Sequence, residues 1–268
     1  MALAPPSSLT PSKVTAFTGC ALAFRFSVID GLPEPPSVAA ARGTVVHRAL
    51  ERLHRAPPPG RTLDAALGWL GEVAAEVLAD PEHVGLELTP GAERELLADA
   101  DGLVRRYFAL EDPTQVTPIG LELKLEATLG GVRLRGIIDR LELDADGELV
   151  VTDYKTGTVP SPRHERDRLG GVHFYAYLCQ VALGRRPARV QLLYLSEPVA
   201  IVATPSDQSI RGLERRVAAV WSAVTRACAG EDFRPNPGRR CAWCAYRPLC
   251  PAFGGDPAAA RAVAAGIG

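Results

Sequence analysis

Asp153 and Lys155 stand two positions apart in the stretch VVTDYKTG. If that stretch is a strand, alternation puts both side chains on one face with Leu149 and Val151, and turns Tyr154 to the other. The DADG turn, folded so that Asp144 pairs with Gly147, brings Asp139 beside Thr152 and within one residue of Asp153. The Gly130-Gly131 turn, folded the same way, sets Glu122 across from Asp139. Three acids at neighbouring strand positions repel one another unless a cation sits among them. Oxygen ligands of this kind suit Mg²⁺ or Mn²⁺, hard ions that keep waters and leave room for a phosphate oxygen. Such an ion polarises a phosphodiester and activates a bound water. Asp139 and Asp153 are therefore candidate metal ligands, and Lys155 is a candidate stabiliser of developing charge. The competing reading is that GIIDR and DYKTG are strand ends whose charges are simply solvated beside their turns.

Lys155 gains weight from its rarity, because the basic residues are 27 Arg and 3 Lys. A chain that uses Arg for most positive charges keeps Lys where a compact ammonium serves better than a wide planar guanidinium. A second set of candidates is Cys241, Cys244 and Cys250, spaced C-x₂-C-x₅-C with Trp243 and Tyr246 between them. Cys20 is the obvious fourth ligand, while Cys179 and Cys228 lie in apolar helical patterns and read as buried thiols. Four thiolates suit tetrahedral zinc or an iron-sulfur cluster, and spacing does not separate the two. Either would close most of the chain into one loop. His47 lies within an apolar helical pattern beside Val46 and Leu50, where a lone histidine is more often packed or solvated than a ligand.

The elements that must position these residues follow from periodicity. A short helix pair containing Cys20 is predicted over 9–27, and a helix capped by Ser37 runs to about Arg55 with Val45, Val46, Ala49, Leu50 and Leu53 inward. Helices at about 62–79 and 91–110 come next, then three strands over 117–155 as a β-meander. A helix at about 165–183, a strand pair at 188–203 and a helix at about 207–229 with Leu213, Val217, Val220 and Val224 inward complete the pattern. The fold class is mixed α/β.

A formal charge of -1 over 268 residues excludes nucleic-acid binding through a globally basic surface, though not through a local strip. Arg133 and Arg135 share a strand face with Asp139, and Arg163, Arg166 and Arg168 follow the Asp153 strand, so guanidiniums are placed to line an approach to the ion. Tyr175 or Tyr177 offers a stacking platform for an unpaired base. No apolar run is long enough for a membrane span, and the opening MALAPPSSLTPSK carries no export signature, so a cytoplasmic protein without membrane contact is expected. No G-x₄-G-K-[ST] loop occurs, so strand unwinding would need a separate helicase.

Five segments in order, TAFTGCALAFRF, ARGTVVHRALERL, GIIDRLELDADGELVVTDYKTG, HFYAYL and CAWCAYRPLCPAF, resemble the PD-(D/E)xK nuclease superfamily. The likeness is in particular to RecB-like exonucleases with an iron-sulfur cluster, relatives of the CRISPR-associated adaptation nucleases and the AddB nuclease domain. The resemblance implies a restriction-endonuclease-like core with a central mixed sheet flanked by helices, as one nuclease domain over 1–268. A helical insertion at about 60–112 and an iron-sulfur segment at about 230–254 tied to Cys20 would complete it. It implies that His47, four residues after Gly43, joins Asp139, Asp153 and the backbone carbonyl of Tyr154 around Mg²⁺ or Mn²⁺. Cys20, Cys241, Cys244 and Cys250 would hold a 4Fe-4S cluster rather than zinc. Tyr175 fits the tyrosine of a Q-x-x-x-Y motif, with Gly171 where glutamine is expected. The implied activity is metal-dependent hydrolysis of DNA, single-stranded or with free ends, in repair or recombination. The other readings are a catalytically weak DNA-binding scaffold of a repair complex and a zinc-stabilised interaction domain.

Overall fold

A computed structural model describes residues 3–83, 85–160 and 162–260, with the side chains of 162–170 outside the description. Helix α1 (Pro11–Gly19) starts where Thr10 accepts a hydrogen bond from the Lys13 amide, with proline in its first turn. It breaks at Cys20, whose backbone is extended, before α2 (Ala21–Phe24) and a π-helical turn over Arg25–Ile29. Helix α3 (Val38–Arg55) is capped by Ser37 and buries Val45, Val46, Ala49, Leu50 and Leu53, the face its periodicity predicts. The helix expected over 62–79 is two, α4 (Leu63–Gly68) and α5 (Leu70–Leu78), divided where Gly68 and Trp69 interrupt the pattern. Helix α6 (Pro90–Tyr107) follows, capped by Thr89.

Strands β1 (Thr117–Leu129), β2 (Val132–Leu143) and β3 (Leu149–Lys155) form the expected meander. Helix α7 (Pro162–Ala182) crosses to β4 (Arg189–Tyr194), β5 (Val199–Ala203) turns back, and α8 (Asp207–Gly230) closes the regular elements. The sheet order is β1-β2-β3-β4-β5, antiparallel between β2 and β3, parallel between β3 and β4, and antiparallel again between β4 and β5. A parallel pair needs a crossover, and α7 supplies it.

The β2-β3 register differs by one residue from the expected one. Arg140 pairs with Thr152, so the frame sets Asp139 against Asp153 itself. The Asp144 carboxylate accepts the amides of Asp146 and Glu148, and the Asp144 amide reaches the Glu148 carbonyl at 3.0 Å. The turn thereby closes between Asp144 and Glu148, with Gly147 at φ 75° where a side chain would be strained.

By packing, the chain forms two compact units. One comprises Pro36–Leu125 and Gly136–Ile210, the other Met1–Pro35, Glu126–Arg135 and Arg211–Gly268. In the first, α3, α5 and α6 bury an apolar cluster against Tyr154, Leu193 and Leu195. In the second, Leu9 bridges to Leu134, and α8 buries Leu213, Val217, Val220 and Val224 as its spacing predicts.

Candidate active site and cysteine cavity

Helix α3 approaches the end of β3 closely at Gly43, where a Cβ would stand 3.2 Å from Thr156 Oγ1. The i, i+4 spacing then carries His47 to the same side, one turn on. There His47 Nδ1 lies 3.5 Å from Asp139 Oδ2, and its ring meets the Tyr154 ring edge-on at 5.9 Å. Asp139 Oδ2 also accepts the Tyr154 backbone N–H at 2.7 Å. Glu122 joins through a local distortion of β1. Its φ of 46° is a left-handed conformation that non-glycine residues rarely adopt, and it interrupts the alternation of the strand. Donor atoms of His47, Glu122 and Asp139 all lie within 4.8 Å of one another.

Asp153 is buried beside this trio and forms an ion pair with Lys155. Tyr175 on α7 faces the Asp153 carboxylate, and burial first, then the Asp153 and Asp139 charges, keep its hydroxyl protonated. Gly136 makes that reach possible, because a Cβ there would stand 2.7 Å from Leu178 Cδ1 and 3.3 Å from the Tyr175 ring. The structure thus brings together His47, Asp139, Asp153, Lys155, Tyr154 and Tyr175. Glu122, weighed in the sequence only as a neighbouring acid, stands within the donor set. Tyr177 is buried, which removes it as a stacking platform. Arg133 and Arg135 are each ion-paired with Glu126 at 2.7 Å, and the side chains of Arg163, Arg166 and Arg168 lie outside the described residues.

The electrostatics are those of converging carboxylates. Burial, reinforced by the Asp139 charge, pushes the Glu122 carboxyl up to about 7. Burial works against a charged His47, yet the hydrogen bond to Asp139 and the charges of Asp139, Asp153 and Glu122 outweigh it and raise its pKa. Burial also raises Asp153, with the Lys155 ammonium opposing. One imidazole and two carboxylates converging in this way fit a divalent ion held by oxygen and nitrogen.

Sequence reasoning missed the support beneath the site. Arg140, fully buried on β2, ion-pairs with Glu111 and Glu142 and donates to the Tyr154 hydroxyl at 2.8 Å and to Thr152 Oγ1 at 3.2 Å. His54 Nε2 lies 2.9 Å from Arg140 Nη1 and 2.7 Å from the Tyr107 hydroxyl. Burial and then the charges of Arg140 and Arg61 lower His54 to about 3, so its imidazole is neutral and accepts. Tyr154 is thereby held at its hydroxyl while its backbone amide and ring face edge hold Asp139 and His47.

The second unit carries its own constellation. Cys20, Cys241, Cys244 and Cys250 line one cavity together with apolar Leu22, Phe26 and Phe253. The Gly238 amide points at Cys241 Sγ at 3.3 Å, and the Tyr246 amide at Cys244, whose thiol burial nonetheless pushes up. Among the described residues no three of these sulfurs lie within 4.8 Å of one another. Cys179 and Cys228 are buried elsewhere, as their helical settings predict.

Known proteins agree with this architecture. Gene 69 protein of Mycobacterium phage D29 is 29% identical over 177 residues, which are 56% of this chain and 62% of that protein. The crystal structure of a candidate exonuclease from Eubacterium rectale matches with a TM-score of 0.56 at 12% identity, covering 88% of each chain, a likeness of fold. The model of the PD-(D/E)XK nuclease superfamily matches residues 8–251, through both the acidic site and the cysteine segments. By that match the chain belongs to the PD-(D/E)XK nuclease superfamily, with the restriction-endonuclease-like mixed sheet that the family implies.

Proposed function

We propose that the protein is a metal-dependent deoxyribonuclease that hydrolyses DNA phosphodiester bonds as a RecB-like exonuclease. Its substrate is DNA that is single-stranded or has free ends, and its setting is repair or recombination in the cytoplasm, with unwinding left to a separate helicase. The observation that carries this reading is the convergence of His47, Glu122 and Asp139 within 4.8 Å, beside the buried Asp153–Lys155 pair. No helix among the described residues is long and apolar enough to cross a membrane.

His47, Glu122 and Asp139, with Asp153 and the Tyr154 carbonyl alongside, would hold Mg²⁺ or Mn²⁺. Such an ion supplies Lewis-acid polarisation of the phosphodiester and a more acidic attacking water. Lys155 holds the water in line and offsets the negative charge that grows on the phosphate oxygens. Tyr175 keeps the Asp153 carboxylate turned toward the site, and Tyr154 fixes Asp139 through its amide. Cys20, Cys241, Cys244 and Cys250 would hold a 4Fe-4S cluster that ties the segment at about 230–254 to the N-terminal helices.

The test is digestion of end-labelled single and double strands by anaerobically purified protein, with iron and sulfide analysis. Cleavage is expected with Mg²⁺ or Mn²⁺, at least 100-fold reduced in Asp139→Ala and Lys155→Ala, where ~10²–10³ is typical for one lost charge stabiliser. Full activity in both variants overturns the mechanism. DNA binding without cleavage under either ion replaces it with the scaffold reading.

A further inference from the structure

Thr156 follows Lys155 directly, and the parallel strands β3 and β4 end there side by side. The carboxyl ends of adjacent parallel strands are where open α/β sheets place ligands. In this protein they open on a cavity of about 210 Å³ lined by Arg42 of α3, Asp99, Gly102 and Arg106 of α6, and Thr156 and Ser196 beyond the strands. A liquid water takes ~30 Å³, so the space admits a phosphate group with attached solvent.

The lining is a set of donors with too few acceptors. Arg106 spends Nε on the Leu195 carbonyl at 2.6 Å. Among the described residues its two terminal nitrogens have no hydrogen-bond partner. Arg42 gives Nη1 to Asp99 at 2.7 Å, while its Nε is shielded from water with no acceptor. Thr156 Oγ1 likewise has no hydrogen bond among the described residues, whereas Ser196 is committed to the Gly157 carbonyl at 2.7 Å. Among the described lining residues Asp99 is the one opposing charge, and its side chain is 61% exposed. Gly102 sits inside α6, where glycine disfavours the helix. A Cβ there would stand 3.4 Å from Arg106 Nη1, so the bare position keeps the cavity open.

Resting on the nuclease reading above, we propose that this cavity is a phosphate-binding subsite, holding the phosphate of the DNA strand that neighbours the one being cleaved. Planar guanidiniums presenting parallel N–H groups match a tetrahedral oxyanion. The terminal nitrogens of Arg106, the Arg42 terminal nitrogen not given to Asp99 and the Thr156 hydroxyl are the donors. Arg42 precedes His47 by five residues on α3 and Thr156 adjoins Lys155, so the same two elements hold the reacting phosphate and its neighbour. The phosphate is either a terminal monoester or an internal diester, and the two share this chemistry.

The test is fluorescence anisotropy of labelled single strands on the full chain without divalent ions. Arg42→Gln and Arg106→Gln are each expected to bind about tenfold more weakly, and to flatten the dependence of log K on log salt by ~0.7 per lost phosphate contact. Gly102→Leu, which fills the cavity with a better helix former, is expected to weaken binding with every charge intact. A wild-type preference for a 5′-phosphate over a 5′-hydroxyl that the variants lose identifies the monoester. Equal ends, with loss of variant sensitivity at a single neutral methylphosphonate, identify the diester. Unchanged affinity and salt slope in all three folded variants overturns the subsite. Hydrolysis by the wild type, measured in parallel, reads the nuclease proposal separately.

Discussion

Asp153 is buried against Asp139, and Lys155 with Tyr175 offsets that cost. Removing the ammonium leaves a buried carboxylate facing other carboxylates, so Lys155→Met is expected to lower stability by ~1–3 kcal/mol as well as activity. Adding Asp153→Asn should restore stability in urea denaturation without restoring cleavage. If the double variant is no more stable than Lys155→Met, the pair is not an electrostatic unit. His54 gives a test away from the reacting groups. Its folded pKa of about 3 lies below the usual 6.5, so the unfolded chain binds more protons as pH falls through this window. The stability due to His54 is full above pH 6.5 and is lost on acidification toward 3, by ~1.4 kcal/mol per pH unit. Wild type minus His54→Gln should show that slope between pH 4.5 and 6 in chemical denaturation. A flat difference would mean that burial and the Arg140 charge do not hold the imidazole neutral. Glu122, pushed up to about 7, acts in the opposite direction, since the unfolded carboxyl ionises first and stability falls as pH rises from 4.5 toward 7. A divalent ion favours the carboxylate and should remove that fall.

Among the elements, α7 approaches β2 closely at Gly136. Gly136 admits Leu178 and the Tyr175 ring, so Gly136→Val should cost ~1–3 kcal/mol in overpacking and move Tyr175 off Asp153. Cleavage should then fall by more than the stability loss explains, which kinetics on the folded fraction would show; an unaltered turnover would mean that Tyr175 does not steer Asp153. This contact and others like it set what could be read from sequence. Alternation over 117–155 exposed the meander because each strand is long and its turns carry glycine. The one-residue register error came from Asp144, whose side chain caps two amides and lengthens the turn, a choice that alternation cannot register. The convergence of Asp139, Asp153 and Lys155 was legible from strand spacing, whereas His47 joined them only through the five ordered segments of the resemblance. Glu122 was seen as an acid but not as a donor, because nothing in ELK announces a φ of 46°. The Arg140 network stayed hidden because its partners His54, Tyr107 and Glu111 come from α3, α6 and the segment after it, each plausible as ordinary helix surface or core.

On the scale of the whole molecule, the four candidate cluster cysteines lie in the unit assembled from three separate stretches of chain, Met1–Pro35, Glu126–Arg135 and Arg211–Gly268. Its parts meet only after long loops have closed, and loop closure is an entropic cost that a covalent or metal clip removes from the unfolded state. Linking Cys20 to Cys241 spans about 220 residues, which in the chain-entropy model corresponds to about 5 kcal/mol. Cys20→Ser is therefore expected to lower the melting temperature of the purified protein by about 10 °C or more, and iron removal by a chelator should do the same. Under the cluster proposed above, one metal group carries the whole effect, so Cys244→Ser should cost about as much as Cys20→Ser, and the double variant little more than either alone. Cys179→Ala, a buried thiol outside the cavity, should cost only its packing, about 1–2 kcal/mol, and leave the iron content untouched. Additive losses from Cys20 and Cys244, or stability indifferent to both, would mean that the four cysteines share a cavity without sharing a metal.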